Sequence, residues 1–150
     1  MDQLDRKILI SLAEEARRPL SRVAEELGVA NTTVHQRVRR LEERGVIRGS
    51  RLLVDWDEAG VPVLAAIFVE VNESGSLGDA ADRFAENPYV MSCHAVTGEF
   101  DLMLEVRARS STHLGNVLEM LRSTVRGRSR THVVLTSFFD GRVPPFDIEA

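Results

Sequence analysis

The 150 residues, 43% of them hydrophobic, suffice for one ordinary domain or two small ones with real cores, and exclude a disordered or low-complexity chain. No apolar run nears the length of a membrane span, and the charged N-terminus lacks an apolar signal core; both point to a cytoplasmic protein with no membrane partner. The formal net charge of −4 argues at first against a polyanionic partner, but residues 1–51 hold 11 Lys and Arg against 8 Asp and Glu, a balance of +3, whereas residues 52–150 hold 8 against 15, a balance of −7.

In chain order, Leu4, Ile8, Leu9 and Leu12 mark a first amphipathic helix, ending near Ala16 and Arg17 ahead of Pro19, which cannot continue it. Leu20, Val23, Ala24 and Leu27 then recur at i, i+3, i+4, i+7, the spacing of one buried helical stripe. Gly28 supplies a tight turn, and Val34, Val38 and Leu41 form the inward stripe of a third helix, capped near Gly45. Thr32, Thr33, His35, Gln36, Arg37, Arg39 and Arg40 are left to point partly or wholly outward. Gln, His and Thr can bond base edges, Arg can bond guanine or phosphate, and a helix fits the major groove of double-stranded DNA. A solvated amphipathic face is the plain alternative; the preceding helix and the turn at the expected place favour a helix-turn-helix DNA reader. Gln36 and His35 lead as base readers, Thr32 and Thr33 contact bases or phosphate, and Arg39 and Arg40 contact phosphate. Arg37 admits two roles, a phosphate contact or a brace tucked against the first helix. Val46 and Ile47 lead into an extended piece around residues 51–54, read as a small wing.

Residues 55–62, with Asp55, Glu58, Gly60 and Pro62, form a turn-rich linker between domains 1–54 and 63–150. Beyond it the period changes. Strands are expected at 63–71, 89–96, 101–108 and 132–139, and helices at 77–86 and 112–122, in the order βαββαβ. That is the split, ferredoxin-like arrangement, so the whole chain is α+β. One sheet face meets the two helices. The other, where Met91, Met103 and Val133 are placed, awaits a cover such as a partner subunit. Cys93 stands alone and reads as a small buried hydrophobe in a reducing compartment. His35, His94, His113 and His132 fall on separate elements without ligand spacing, so no metal is expected. No nucleophile elbow, phosphate loop or paired-carboxylate motif is present; neither catalysis nor a cofactor is expected.

The order of parts resembles the Lrp/AsnC family of feast/famine transcriptional regulators along nearly the whole chain. The matching residues are Leu4, Asp5, Ile8 and Leu9; Arg17, Arg18, Pro19 and Leu20; Val23, Ala24, Glu25, Glu26, Leu27, Gly28 and Val29; the run TTVHQRVRRL from Thr32 to Leu41; Glu42, Glu43, Arg44, Gly45, Val46 and Ile47; and Thr97, Gly98, Glu99, Phe100 and Asp101 between two strands. The resemblance implies a winged helix-turn-helix followed by an amino-acid-sensing RAM domain. It also implies a homodimer formed through the sheets, assembling to a tetramer or octamer, and control by a small effector, commonly an amino acid. The effector site it implies is the loop of Gly98, Glu99, Phe100 and Asp101, where the Asp101 carboxylate can pair with an α-ammonium group; Val133, Val134 and Thr136 are weaker candidates. One departure is Ala30, where the family has Ser opening the recognition helix; Asn31 or Thr32 is expected to cap instead, with the helix starting a residue later. Two other readings stay open: an architectural DNA-binding protein without an effector, and a ferredoxin-like dimeric enzyme.

Overall fold

The computed structural model describes residues 1–72 and 74–143, which fall into two compact units, one built on residues 1–53 and the other on residues 54–138. The first unit holds α1 (Gln3–Glu14), α2 (Leu20–Leu27) and α3 (Asn31–Glu43). Ile8, Val23, Ala24, Val34 and Val38 close its core, one or two from each helix, so the predicted apolar stripes meet. Asp2 opens α1 with a capping box: its side chain accepts from the Asp5 N–H while the Asp5 side chain accepts from the Asp2 N–H. α1 ends at Glu14, earlier than the predicted end near Ala16. Glu15 is extended, and Arg18 holds the turn by donating to Glu15 and to the Ser11 hydroxyl.

α2 and α3 end in the same way. Gly28 (φ 66°) and Gly45 (φ 68°) take the left-handed conformation, and the N–H of the next residue reaches back, Val29 to the Ala24 carbonyl and Val46 to the Leu41 carbonyl. At the start of α3 the structure corrects the capping expectation. The helix begins at Asn31 with Ala30 as cap residue and no side chain bonding the free N–H groups. The extended piece expected around residues 51–54 forms no strand, because no described strand pairs with it; Leu52 and Leu53 are exposed.

The second unit opens with hydrogen-bonded turns over residues 55–61, in which the Asp55 carboxylate accepts from the Asp57 and Glu58 N–H groups. β1 (Val63–Val69), α4 (Leu77–Ala85), β2 (Val90–Ala95), β3 (Leu102–Ala108), α5 (Ser111–Thr124) and β4 (Ser129–Val134) follow. The sheet runs β2-β3-β1-β4 with every neighbour antiparallel, which is the predicted ferredoxin-like topology. Ala65, Ile67 and Val69 of β1 alternate with half-buried Leu64, Ala66 and Phe68, and the buried set meets Phe84 of α4 and Val117 and Leu121 of α5. Ser76 and Ser110 cap the two helices.

Two expectations are corrected here. The last strand is Ser129–Val134, displaced from the predicted 132–139. β1 supplies partners only from Val69 back to Leu64, so the ladder stops at Val134 although the apolar run continues through Phe139. Val133 pairs with Ala65, on the helix-covered side, so it does not lie on the open face expected for it; Met103 does, opposite Phe68, and Met91 sits exposed at a bulge between Val90 and Ser92. Cys93 of β2 is half-buried against the core, and burial pushes its thiol pKa up.

Candidate functional site

With Val34, Val38 and Leu41 buried, the 3.6-residue repeat of α3 turns Thr32, Gln36, Arg39 and Arg40 straight outward, and all four are exposed. His35, also exposed, lies toward one flank, and Thr33 is half-buried on the other. The outward stripe thus places two groups that can bond base edges ahead of two guanidinium groups, one helical turn further on. Arg39 donates to Glu43 at 3.0 Å, an exposed i,i+4 pair that a phosphate would have to displace. The uncapped start of α3 leaves the Asn31 and Thr32 N–H groups at the positive end of the helix dipole, beside Thr32.

The structure favours one of the two roles open to Arg37. Its guanidinium bonds both carboxylates of the α1 capping box, Asp2 and, at 3.0 Å, Asp5, whose side chain is 6% exposed. Arg37 therefore ties the reading helix to the start of α1. The D-x-x-D spacing at the N-terminus was the available signal for this partner, 32 residues away in sequence. The Asp5 backbone N–H, and after it the Arg37 guanidinium, hold the Asp2 carboxyl below its ordinary value of 3.8. A depressed carboxylate contributes stability above its unfolded pKa and loses it as pH falls through the folded one. Arg37→Met is expected to lower the melting temperature at pH 7 by roughly 5 °C, to lose that deficit in acid below the Asp2 range, and to leave base preference unchanged. Thermal melts across pH, with competition binding to variant sites, check all three.

In the second unit, Gly98 has φ 122°, a backbone region that favours glycine, and lies within the loop between β2 and β3. Asp101 stitches that loop down. Its N–H donates to the Val69 carbonyl at 3.0 Å, its carbonyl accepts from the Val96 N–H at 2.9 Å, and its carboxylate accepts from the Val71 N–H at 2.8 Å. One of the two carboxylate oxygens offered to an α-ammonium group is thereby engaged with backbone. Beside the loop lies an open cleft of about 650 Å³ lined by Phe68, Ala95, Val96, Thr97, Glu99 and Phe100. Glu99 and Phe100 were expected there. Phe68 was not, because it arrives from β1, and its ring lies 6.0 Å from Phe100. Val133, Val134 and Thr136 do not join this cleft: Val133 faces the helix layer, Val134 pairs with Leu64, four residues along β1 from Phe68, and Thr136 lies past the end of β4. Among the described residues, no group of three His, Cys, Asp or Glu could hold a metal ion, and no helix is long and apolar enough to cross a membrane.

A three-helix reading head followed by a four-stranded ferredoxin-like unit is the construction of a DNA-binding transcriptional regulator. Residues 1–48 match the family model for winged helix-turn-helix DNA-binding, and residues 64–144 that for the Lrp/AsnC ligand binding domain. The chain belongs to the Lrp/AsnC family. It is 30% identical over 135 residues to the HTH-type transcriptional regulator FL11 of Pyrococcus horikoshii, covering 90% of this chain and 88% of that one. To LrpA of Mycobacterium tuberculosis it is 32% identical over 142 residues, 95% of both chains. Among solved structures, a feast or famine regulatory protein of Mycobacterium tuberculosis complexed with L-methionine superposes with a TM-score of 0.90 at 31% identity, over 95% of this chain and 97% of the other.

Proposed function

We propose that this regulator reads DNA with α3 and changes its binding when a free amino acid enters the cleft beside Gly98, Glu99, Phe100 and Asp101. Residues 1–54 read, 55–62 connect, and 63–150 sense and assemble. Gln36 and His35 meet base edges, Thr32 and Thr33 meet bases or phosphate, and Arg39 and Arg40 meet phosphate, with Arg37 holding the helix in place. A homodimer formed across the open sheet face presents two reading heads to a two-fold-symmetric site, and dimers assemble to a tetramer or octamer in the cytoplasm. The protein acts by binding, without catalysis. The observation that carries this reading is the outward stripe of Thr32, Gln36, Arg39 and Arg40 on a helix whose opposite face is fully committed to the core. The regulator complexed with L-methionine, similar over nearly its whole length, supports an amino acid as effector.

The test is binding of the purified protein, at fixed salt, to the DNA upstream of its own gene and to random DNA, with and without each of the twenty amino acids. Preference for the upstream DNA that one amino acid alters is the expected result. Specific binding that no amino acid moves would overturn the sensing role, and equal binding to both DNAs would support the architectural reading instead.

A further inference from the structure

Arg130, at the rim of the open sheet face on the edge strand β4, stands directly opposite Phe68 across the β1–β4 ladder, and its guanidinium lies 5.3 Å over the ring of Phe100. Both rings line the cleft. The third partner of Arg130 is Glu99, another lining residue, at 3.6 Å, and Arg128 reaches the same carboxylate at 3.7 Å. Neither distance is that of a hydrogen bond, and all three side chains are about half exposed or more, so these ion pairs are loose and screened. Arg128 has a better partner. It donates to the Glu70 carboxylate at 2.5 Å, which holds the Glu70 carboxyl below and the Arg128 guanidinium above their ordinary values. Arg130 is left with one loose carboxylate and an aromatic face.

We propose that Arg130 receives the α-carboxylate of the effector and that Glu99, its internal partner, turns to the α-ammonium group, so that a zwitterionic head inserts between them. One loose ion pair is exchanged for two, and the planar guanidinium can bind the incoming carboxylate bidentately. Phe68 and Phe100 beneath this pair select an apolar side chain; a second charge on the ligand would be stranded against the rings. The effector is thus an apolar α-amino acid, and its 2-oxo acid and its decarboxylated amine are each half a ligand. This rests on the amino-acid reading of the cleft proposed above, and it assigns the specificity to a residue outside the loop.

The test uses the full chain and calorimetric titration with L-methionine, L-leucine and L-phenylalanine, together with phenylpyruvate. The wild-type protein is expected to bind at least one of the three amino acids. Arg130→Ala should weaken that binding by tenfold or more, Arg130→Lys should restore part of it, and Arg128→Ala should change it by less than about threefold, since Arg128 stays with Glu70. Glu99→Gln should act with opposite signs on the two ligand types, weakening the amino acid and tightening phenylpyruvate, because it removes the ammonium partner and the carboxylate competitor together. A merely structural role for Glu99 would move both ligands the same way. Unchanged amino-acid binding in Arg130→Ala, or same-sign effects in Glu99→Gln, overturns the role of Arg130 while leaving the sensing cleft standing. Failure of the wild-type chain to bind any of the three amino acids overturns this apolar selectivity, and binding of a charged amino acid instead would leave the sensing reading intact.

Discussion

Gly127→Ala is expected to cost the second unit about 3 kcal/mol and to lower its melting temperature by roughly 15 °C. A Cβ built on Gly127 would stand 1.6 Å from the Glu70 carbonyl oxygen and 2.7 Å from the Glu70 carbonyl carbon. Both are backbone atoms, so no rotamer change relieves the clash. The φ of 155° adds strain for any residue with a side chain. The approach is this close because the chain on either side of Gly127 is bonded to the end of β1: the Asn72 N–H donates to the Arg126 carbonyl at 2.8 Å and the Glu70 N–H to the Arg128 carbonyl at 2.9 Å. Two residues later β4 begins, so moving this turn moves the β1–β4 register and, with it, the cross-strand pairing of Phe68 with Arg130. Gly115→Ala is the control. Gly115 lies inside α5 with open space around its Cβ position, and alanine there should stabilise by about 0.5–1 kcal/mol. Calorimetric melts of both variants decide the matter: a Gly127→Ala protein melting within a few degrees of wild type would show that β4 is not fixed at this turn.

What could be read in the sequence was what is local. The stripes of the three reading-head helices and the two glycine terminators, Gly28 and Gly45, lie within one or two turns of the residues they organise, and the structure has them where period and conformation place them. The bounds of β4 differ from the expected 132–139 because its length is set by its partner strand. The run from Val133 to Phe139 has strand-forming residues throughout, but a strand lasts only as long as its partner, and β1 runs out at its N-terminal end. Arg37 could not be assigned from its helix position alone, since its deciding partners, Asp2 and Asp5, come from the other end of the unit. The cleft divides in the same manner. Glu99 and Phe100 were visible in the loop itself, whereas Phe68 comes from β1, and Arg130 meets the lining residues Glu99 and Phe100 only through the antiparallel pairing of β1 with β4, which no short window of sequence contains.

On the reading head, Gln36→Ala and Arg40→Ala are expected to fail in different ways. Gln36 lies at the centre of the outward face of α3, a turn beyond Thr32, where a side-chain amide can bond two groups on one base edge. Its loss should weaken binding to the specific site by about 1–3 kcal/mol, or roughly 5- to 150-fold, and leave random DNA nearly unaffected, relaxing the preference at one or two base pairs per half-site. Arg40 is exposed and has no ion pair among the described residues, so its charge is available to phosphate. Its loss should weaken specific and random DNA by similar factors and reduce the slope of log affinity against log salt by about one per reading head. Arg39 differs from Arg40 because Glu43 already holds it; part of the gain from an Arg39–phosphate contact is offset by breaking that pair, and Arg39→Ala should therefore cost less than Arg40→Ala. Anisotropy titrations at several salt concentrations, on the specific site and on a random duplex of equal length, separate these effects. If Gln36→Ala weakened both duplexes equally, the base-reading role would have to move along the stripe to Thr32 or His35.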